Sequence, residues 1–157
     1  MTAVRKYIPW AIILVGIVSI VMGAIFIGTG IKSKRYLTAE MQLERSTYSG
    51  QPVKLLADGT VVDVDATIDG YVDTAYEAMI LSDTIKAHRS NSGYYTELDR
   101  TDPARDTILN GITLETSMGL ARLGFGVADF ALGIGVTLLI LGVAFGAIGL
   151  TAQFKKE

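Results

Sequence analysis

YIPWAIILVGIVSIVMGAIFIGTGI, residues Tyr7–Ile31, and FALGIGVTLLILGVAFGAIGLTAQF, residues Phe130–Phe154, are two runs of 25 uncharged residues near opposite ends of the chain. A bilayer core of about 30 Å needs about 20 helical residues to cross it. Only a helix satisfies its own backbone groups in lipid over such a length. Both runs are long enough, so the sequence predicts a membrane α-helical fold: a two-span transmembrane helical hairpin.

The residues around the runs fit that reading. Half of the chain is hydrophobic, yet 19% is charged, and the charges avoid both runs. A formal net charge of −2 gives no basic surface for nucleic acid. The absence of cysteine excludes disulfides, thiolate metal sites and thiol catalysis. Arg5 and Lys6 could begin a signal peptide, but the apolar run is too long for one and Thr29-Gly30-Ile31-Lys32 offers no small-residue cleavage site, so an anchor is expected. Arg5 and Lys6 precede the first span and Lys155 and Lys156 follow the second, and the positive-inside rule places both ends in the cytoplasm. The expected layout is a cytoplasmic N-terminus (1–7), a first transmembrane helix (8–31), an extracytoplasmic segment (32–121), a second transmembrane helix with its outer end (122–154) and a cytoplasmic C-terminus (155–157). The segment from Lys32 to Ala121 holds 9 basic and 14 acidic residues, so the expected outer region is acidic. Its 90 residues suffice for one small module.

Within that module, Tyr36–Arg45 lacks Gly and Pro and continues the first helix as a stalk, broken by Ser46–Gly50 and Pro52. Val53-Lys54-Leu55-Leu56, Asp58-Gly59 and Val61-Val62-Asp63-Val64 read as a β-hairpin, with a further turn at Asp69-Gly70. Val72–His88 reads as an amphipathic helix with Ala75, Met79, Ser82 and Ile85 on one face, ended by Asn91-Ser92-Gly93. Asp102-Pro103 is a helix start, an N-cap acid followed by proline at the first turn. From there one helix is expected to run into the second span, with Asn110-Gly111 as the place to bend. The module is thus a small extracytoplasmic α+β unit on extended helical stalks.

Tyr95-Thr96-Glu97-Leu98-Asp99-Arg100 and Asp102-Pro103-Ala104-Arg105, leading into a glycine-rich span and preceded by the Ala75-Tyr76 helix that ends near His88, resemble a group of small two-span actinobacterial membrane proteins. These are often catalogued as aromatic ring-opening dioxygenases. The resemblance covers about Asp69 to Gly149 and implies a fold and a cell-envelope location. It does not carry the activity over. Extradiol cleavage uses Fe(II) held by two histidines and a carboxylate, and this chain has one histidine, His88. His88 reads as a helix C-terminal residue favoured by the dipole, with a ligand role as the alternative.

Other chemistry is equally thin. Asp63, Asp65, Asp69 and Asp73 invite a Ca²⁺ reading, but Tyr76 stands where an EF-hand loop needs its glutamate, so solvated, helix-capping acids are expected. Nucleophilic catalysis would need a base beside Ser or Thr, and only His88 is on offer. No catalytic residue, cofactor or metal is expected. Asp129, with Arg122 seven residues earlier, is a candidate polar site at the membrane boundary, because ionisable groups in spans are usually functional. Interfacial anchoring and a buried partner or proton role both stay open for Asp129. Arg122 is about 10 Å away along the helix, too far for a direct pair.

The strongest pattern is in the small residues. Gly16, Ser19, Gly23 and Gly30 mark one stripe in the first span; Ala128, Gly135, Gly142 and Gly149 repeat every seven residues in the second, and Gly142 and Gly146 form a G-x-x-x-G. Lipid offers no hydrophobic drive between helices, so association relies on the close approach that small residues permit. A repeat of seven predicts a left-handed crossing. One stripe serves the hairpin itself, and Gly124, Gly126, Gly133 and Gly146 fall on other faces. That excess predicts a further helix partner. The expected function is therefore a non-catalytic accessory subunit of a larger membrane complex of oxidase, monooxygenase or transporter type. The alternative is an independent homo-oligomeric envelope protein whose outer module binds a ligand or cell-wall component.

Overall fold

The computed structural model describes residues 2–46, 52–56, 58–64, 71–90 and 93–154. Asp65, the Asp69-Gly70 turn, most of the Ser46–Gly50 break, Asn91-Ser92 and the Lys155-Lys156 pair lie outside the described residues, as do the side chains of Arg5 and Lys6. The described elements run α1 (Thr2–Leu43), β1 (Val53–Leu55), β2 (Val61–Asp63), α2 (Ala75–Ser90) and α3 (Ala104–Phe154). Two compact units result: Met1–Ser33 with Val127–Glu157, and Lys34–Gly126.

The two long helices, α1 and α3, are each apolar and long enough to cross a membrane. At 1.5 Å per residue their 42 and 51 residues reach about 63 and 76 Å. Both exceed the thickness of a bilayer core. α3 runs unbroken through Asn110-Gly111, where the sequence allowed a bend. In the first unit α1 and α3 lie antiparallel and are its only described elements.

The second unit has a side-chain core. Val72, Ala78, Leu81, Met118, Ala121 and Phe125 are buried together, with Leu37, Met41, Ala75 and Ile85 packed against them. α1 ends in a Schellman arrangement: Ser46 N–H donates to the Met41 carbonyl and Arg45 N–H to that of Gln42, with Arg45 at φ 49°. That left-handed position normally favours glycine. α2 starts with a capping box. Thr74 Oγ1 accepts from Glu77 N–H at 3.1 Å, and the Glu77 carboxylate accepts from Asp73 N–H at 2.8 Å and Thr74 N–H at 3.1 Å. α3 starts at Asp102, whose Oδ1 accepts the Ala104 N–H at 2.8 Å.

Two sides of α2 are buried, where the sequence pattern suggested one. Ala78 and Leu81 join the core, while Ile80 and Thr84 are also buried. The hairpin accounts for the second side. Val53 N–H donates to Thr84 Oγ1 at 3.0 Å, and Leu55 N–H donates to Asp83 Oδ2 at 3.0 Å. The Thr84 hydroxyl in turn donates to the Ile80 carbonyl at 2.8 Å. The hairpin pairs antiparallel, Val53 with Asp63, Lys54 with Val62 and Leu55 with Val61. Its turn uses the Asp58-Gly59 chemistry: Asp58 Oδ1 accepts the Thr60 N–H at 2.9 Å, and Gly59 takes φ +85°.

Candidate functional site

The most specific construction in the molecule is the seam between α1 and α3 in the first unit. Its buried positions are Pro9, Gly16, Gly23 and Gly30 on α1 and Ala128, Gly135, Gly142 and Gly149 on α3, each set spaced by seven. They pair in opposite directions: Pro9 with Gly149, Gly16 with Gly142, Gly23 with Gly135, Gly30 with Ala128. A Cβ placed on Gly16 would fall 2.8 Å from the Gly142 carbonyl oxygen, and one on Gly142 would fall 2.7 Å from the Gly16 oxygen. Gly23 and Gly135 repeat the reciprocal contact at 2.7 and 2.8 Å. Real side chains essentially never come that close. Each glycine hydrogen therefore points at the facing carbonyl, a geometry that weak Cα–H···O contacts stabilise by about 0.5–1 kcal/mol each.

Large residues interleave with these positions at the same period. Ile13, Ile20 and Ile27 lie over Gly149, Gly142 and Gly135, each with Cγ1 2.6 Å from the site of a missing Cβ. From α3, Leu132 and Leu139 lie over Gly30 and Gly23. The next position of that series is Gly146, whose backbone nitrogen comes within 2.9 Å of a Cβ built on Gly16. A Cβ on Gly146 itself would meet nothing within 4 Å. Gly146 thus lends its backbone to the seam while the place of its missing Cβ is open. Ser19 is half-buried beside the seam. Pro9 and the isoleucines were absent from the sequence-derived set, although continuing the sevenfold spacing back from Gly16 reaches Pro9, and the isoleucines repeat by seven as well.

Asp129 is exposed on α3, and a surface cavity of about 520 Å³ is lined by Asp129, Phe130, Gly133 and Thr137 together with Ile134 and Leu138. The Thr137 hydroxyl donates to the Gly133 carbonyl at 2.9 Å, so its polar group is satisfied within the helix. Arg122, also exposed, belongs to the other unit.

In the second unit the polar centre is Arg89 on α2. Its Nη2 and Nε donate to Glu115 Oε2 at 3.0 and 3.3 Å. Gly111 makes room for its stem, since a Cβ there would lie 3.1 Å from Arg89 Cδ. Beside it is a cavity of about 510 Å³, lined by Ile85, His88, Asn110 and Leu114 among others. His88 sits near the exposed end of α2. Among the described residues, no three of His, Asp and Glu converge as a metal group would. The Tyr95–Arg105 segment folds on itself: the Arg105 guanidinium stacks 3.9 Å from the Tyr95 ring centroid and donates to the Leu98 carbonyl at 2.7 Å.

Compared with known proteins, the chain matches no family model, no curated protein and no solved structure.

Proposed function

We propose that this chain is a non-catalytic accessory subunit of a larger membrane complex of oxidase, monooxygenase or transporter type. It spans the bilayer twice through α1 and α3, with both termini cytoplasmic and residues 32–121 outside. The observation that carries the reading is the glycine left over once the seam is built. Gly28, Gly133 and Gly146 lie in the same two helices, and a Cβ on any of them would meet nothing within 4 Å. A glycine inside a helix costs about 0.5–1 kcal/mol relative to alanine, and the α1–α3 contact gives no return for these three. A neighbouring helix would, since close packing is what joins helices in lipid. Exposure supports the membrane reading. Only 11% of the most apolar stretch of each long helix is buried, leaving Trp10, Leu14, Phe130 and Ile140 among many outward-facing apolar side chains. A surface of that kind calls for lipid or another protein.

The test is copurification in mild detergent, with partners identified by mass spectrometry, from cells carrying the parent chain or Gly133→Leu. The parent should bring down a defined membrane complex, and the variant should lose it while keeping the helix pair folded. Equal recovery by both would sink the reading. Orientation is tested separately. Cysteine placed at Ser90 should react with an impermeant reagent in whole cells, and cysteine at Thr2 should not. The cavity beside Arg89 favours the alternative, an independent homo-oligomer with a ligand-binding outer module; recovery of this chain alone, at a multiple of its own mass, would select it.

A further inference from the structure

The two outer edges of the β-hairpin are treated differently. Strand β1 turns the N–H groups of Val53 and Leu55 away from β2, and α2 takes both of them through Thr84 and Asp83. Antiparallel strands alternate inward and outward groups, so the inward-facing pair is Lys54 with Val62, and the next inward pairs close at Leu56 N–H to Thr60 O and Val64 N–H to Pro52 O. On β2 the same alternation turns the N–H and C=O groups of Val61 and Asp63 outward. No described residue bonds to them. The strand is also uncovered: Val61 is 50% and Val62 43% exposed. An open edge of this kind is a template for another extended chain.

Charge selects the occupant. Between Pro52 and Thr74 the sequence carries five aspartates and one lysine. Asp63 lies on the open edge itself, and Asp58 stands at the turn, its carboxyl held below the ordinary value by the Thr60 N–H and so ionised at neutral pH. We propose that the outward edge of β2 docks an extended, basic segment of a partner protein by strand addition, with Lys or Arg opposite Asp63 and an apolar residue beside Val62. This docking stands independently of the accessory-subunit reading, because it uses the hairpin edge and none of the outward-facing glycines.

The probe is a fluorescein-labelled Thr-Lys-Val-Lys-Val-Lys-Thr peptide, capped at both ends and titrated onto the full-length protein in detergent micelles, with anisotropy as readout. The Glu-for-Lys peptide is the control. The lysine peptide should bind with an affinity that falls as salt rises, and the glutamate peptide should not bind. Val61→Pro removes an outward N–H without touching a ladder bond, and the start of a strand accepts proline. It should weaken binding up to about tenfold, the loss of one net hydrogen bond. Asp63→Lys leaves the backbone groups in place and should reverse the preference between the two peptides. Equal binding of the lysine peptide to the parent and both variants would overturn the proposal, as would no binding at all. A disulfide-linked dimer from Val62→Cys that excludes the peptide would also overturn it, since the edge would then belong to a second copy of this chain.

Discussion

The two units solve packing in opposite ways. In the unit of Lys34–Gly126 the interior is made of side chains, with Phe125, Ile80, Ile108 and Val72 fully buried and polar caps at each helix start. In the α1–α3 seam the interior is made by leaving side chains out, so that carbonyls of Gly16, Gly23, Gly135 and Gly142 reach the opposite backbone. Removing apolar surface from water drives the first kind of packing. Where helices meet in an apolar surround that drive is absent, and contact distance must supply the energy instead. One region therefore suffers when atoms are deleted and the other when atoms are added.

Deletion should hurt the Lys34–Gly126 unit most. Phe125→Ala empties the centre of its core and should cost about 3–4 kcal/mol, read as loss of that unit's cooperative thermal transition in micelles. A crosslink between cysteines at Ile20 and Leu139 should still form, reporting an intact seam. Loss of that crosslink would show that the two regions do not behave separately.

Addition should hurt the seam. Gly142→Ala puts a methyl group within 2.9 Å of the Gly16 oxygen, the Ile20 nitrogen and Ile20 Cγ1, and should cost about 2 kcal/mol through forced separation of the backbones. Gly124→Ala is the matched control in the Lys34–Gly126 unit. Its nearest neighbours are atoms of the Leu37 side chain, with Cδ1 at 2.9 Å, and that flexible end can turn aside. The gain in helix propensity, about 0.5–1 kcal/mol, should leave Gly124→Ala neutral or stabilising. Gly146→Ala, whose methyl would face open space, should leave the Ile20–Leu139 crosslink unchanged. If all three variants melted alike, backbone proximity would not be what holds the seam.

Smaller effects test the local chemistry of the Lys34–Gly126 unit. Arg45 occupies a left-handed position at the end of α1, so Arg45→Gly should stabilise by about 1 kcal/mol; a lower melting temperature would refute the helix-end assignment. The smallest effect is that of Asp58. Its folded carboxyl titrates below the ordinary value because the Thr60 N–H bonds to it. Any stability it contributes is present above the unfolded pKa and is lost as pH falls through the folded one. The Asp58 carboxyl resonance should therefore titrate below that of an exposed aspartate, and the Thr60 amide shift should move with it. Asp58→Asn should abolish the titration at Thr60.

These contrasts also explain what could be read in the sequence. Asp58-Gly59, Asp102-Pro103 and the uncharged runs act through neighbours in the chain, and hairpin, helix start and long helices stand where those residues indicate. The sevenfold glycine spacing was equally legible, because a helix turns a linear repeat into a face. Thr84 and Asp83 were not. Their partners Val53 and Leu55 lie 31 and 28 residues away, and nothing local distinguishes a polar residue that caps a strand edge from one facing solvent. Gly146 misleads for a related reason. Its spacing from Gly142 fits a G-x-x-x-G face, but the direction of its missing side chain depends on which helix lies opposite. The room that Gly111 gives Arg89 is likewise set by where α2 crosses α3, which no pattern within either helix encodes.

The regularity of the seam has a cost in information. Four nearly identical pairs repeat every seven residues, so sliding one helix by one period, about 10.5 Å at 1.5 Å per residue, re-creates all but one of them. The angular phase of each helix is sharply specified, whereas the axial phase is close to degenerate, as with two combs of equal pitch. Only the irregularities break that translational symmetry. Gly16 faces the bare backbone of Gly146 where the other periods present a leucine, and the terminal pairs substitute Pro9 and Ala128 for glycine. Those few exceptions act as the key that distinguishes one alignment from its neighbours.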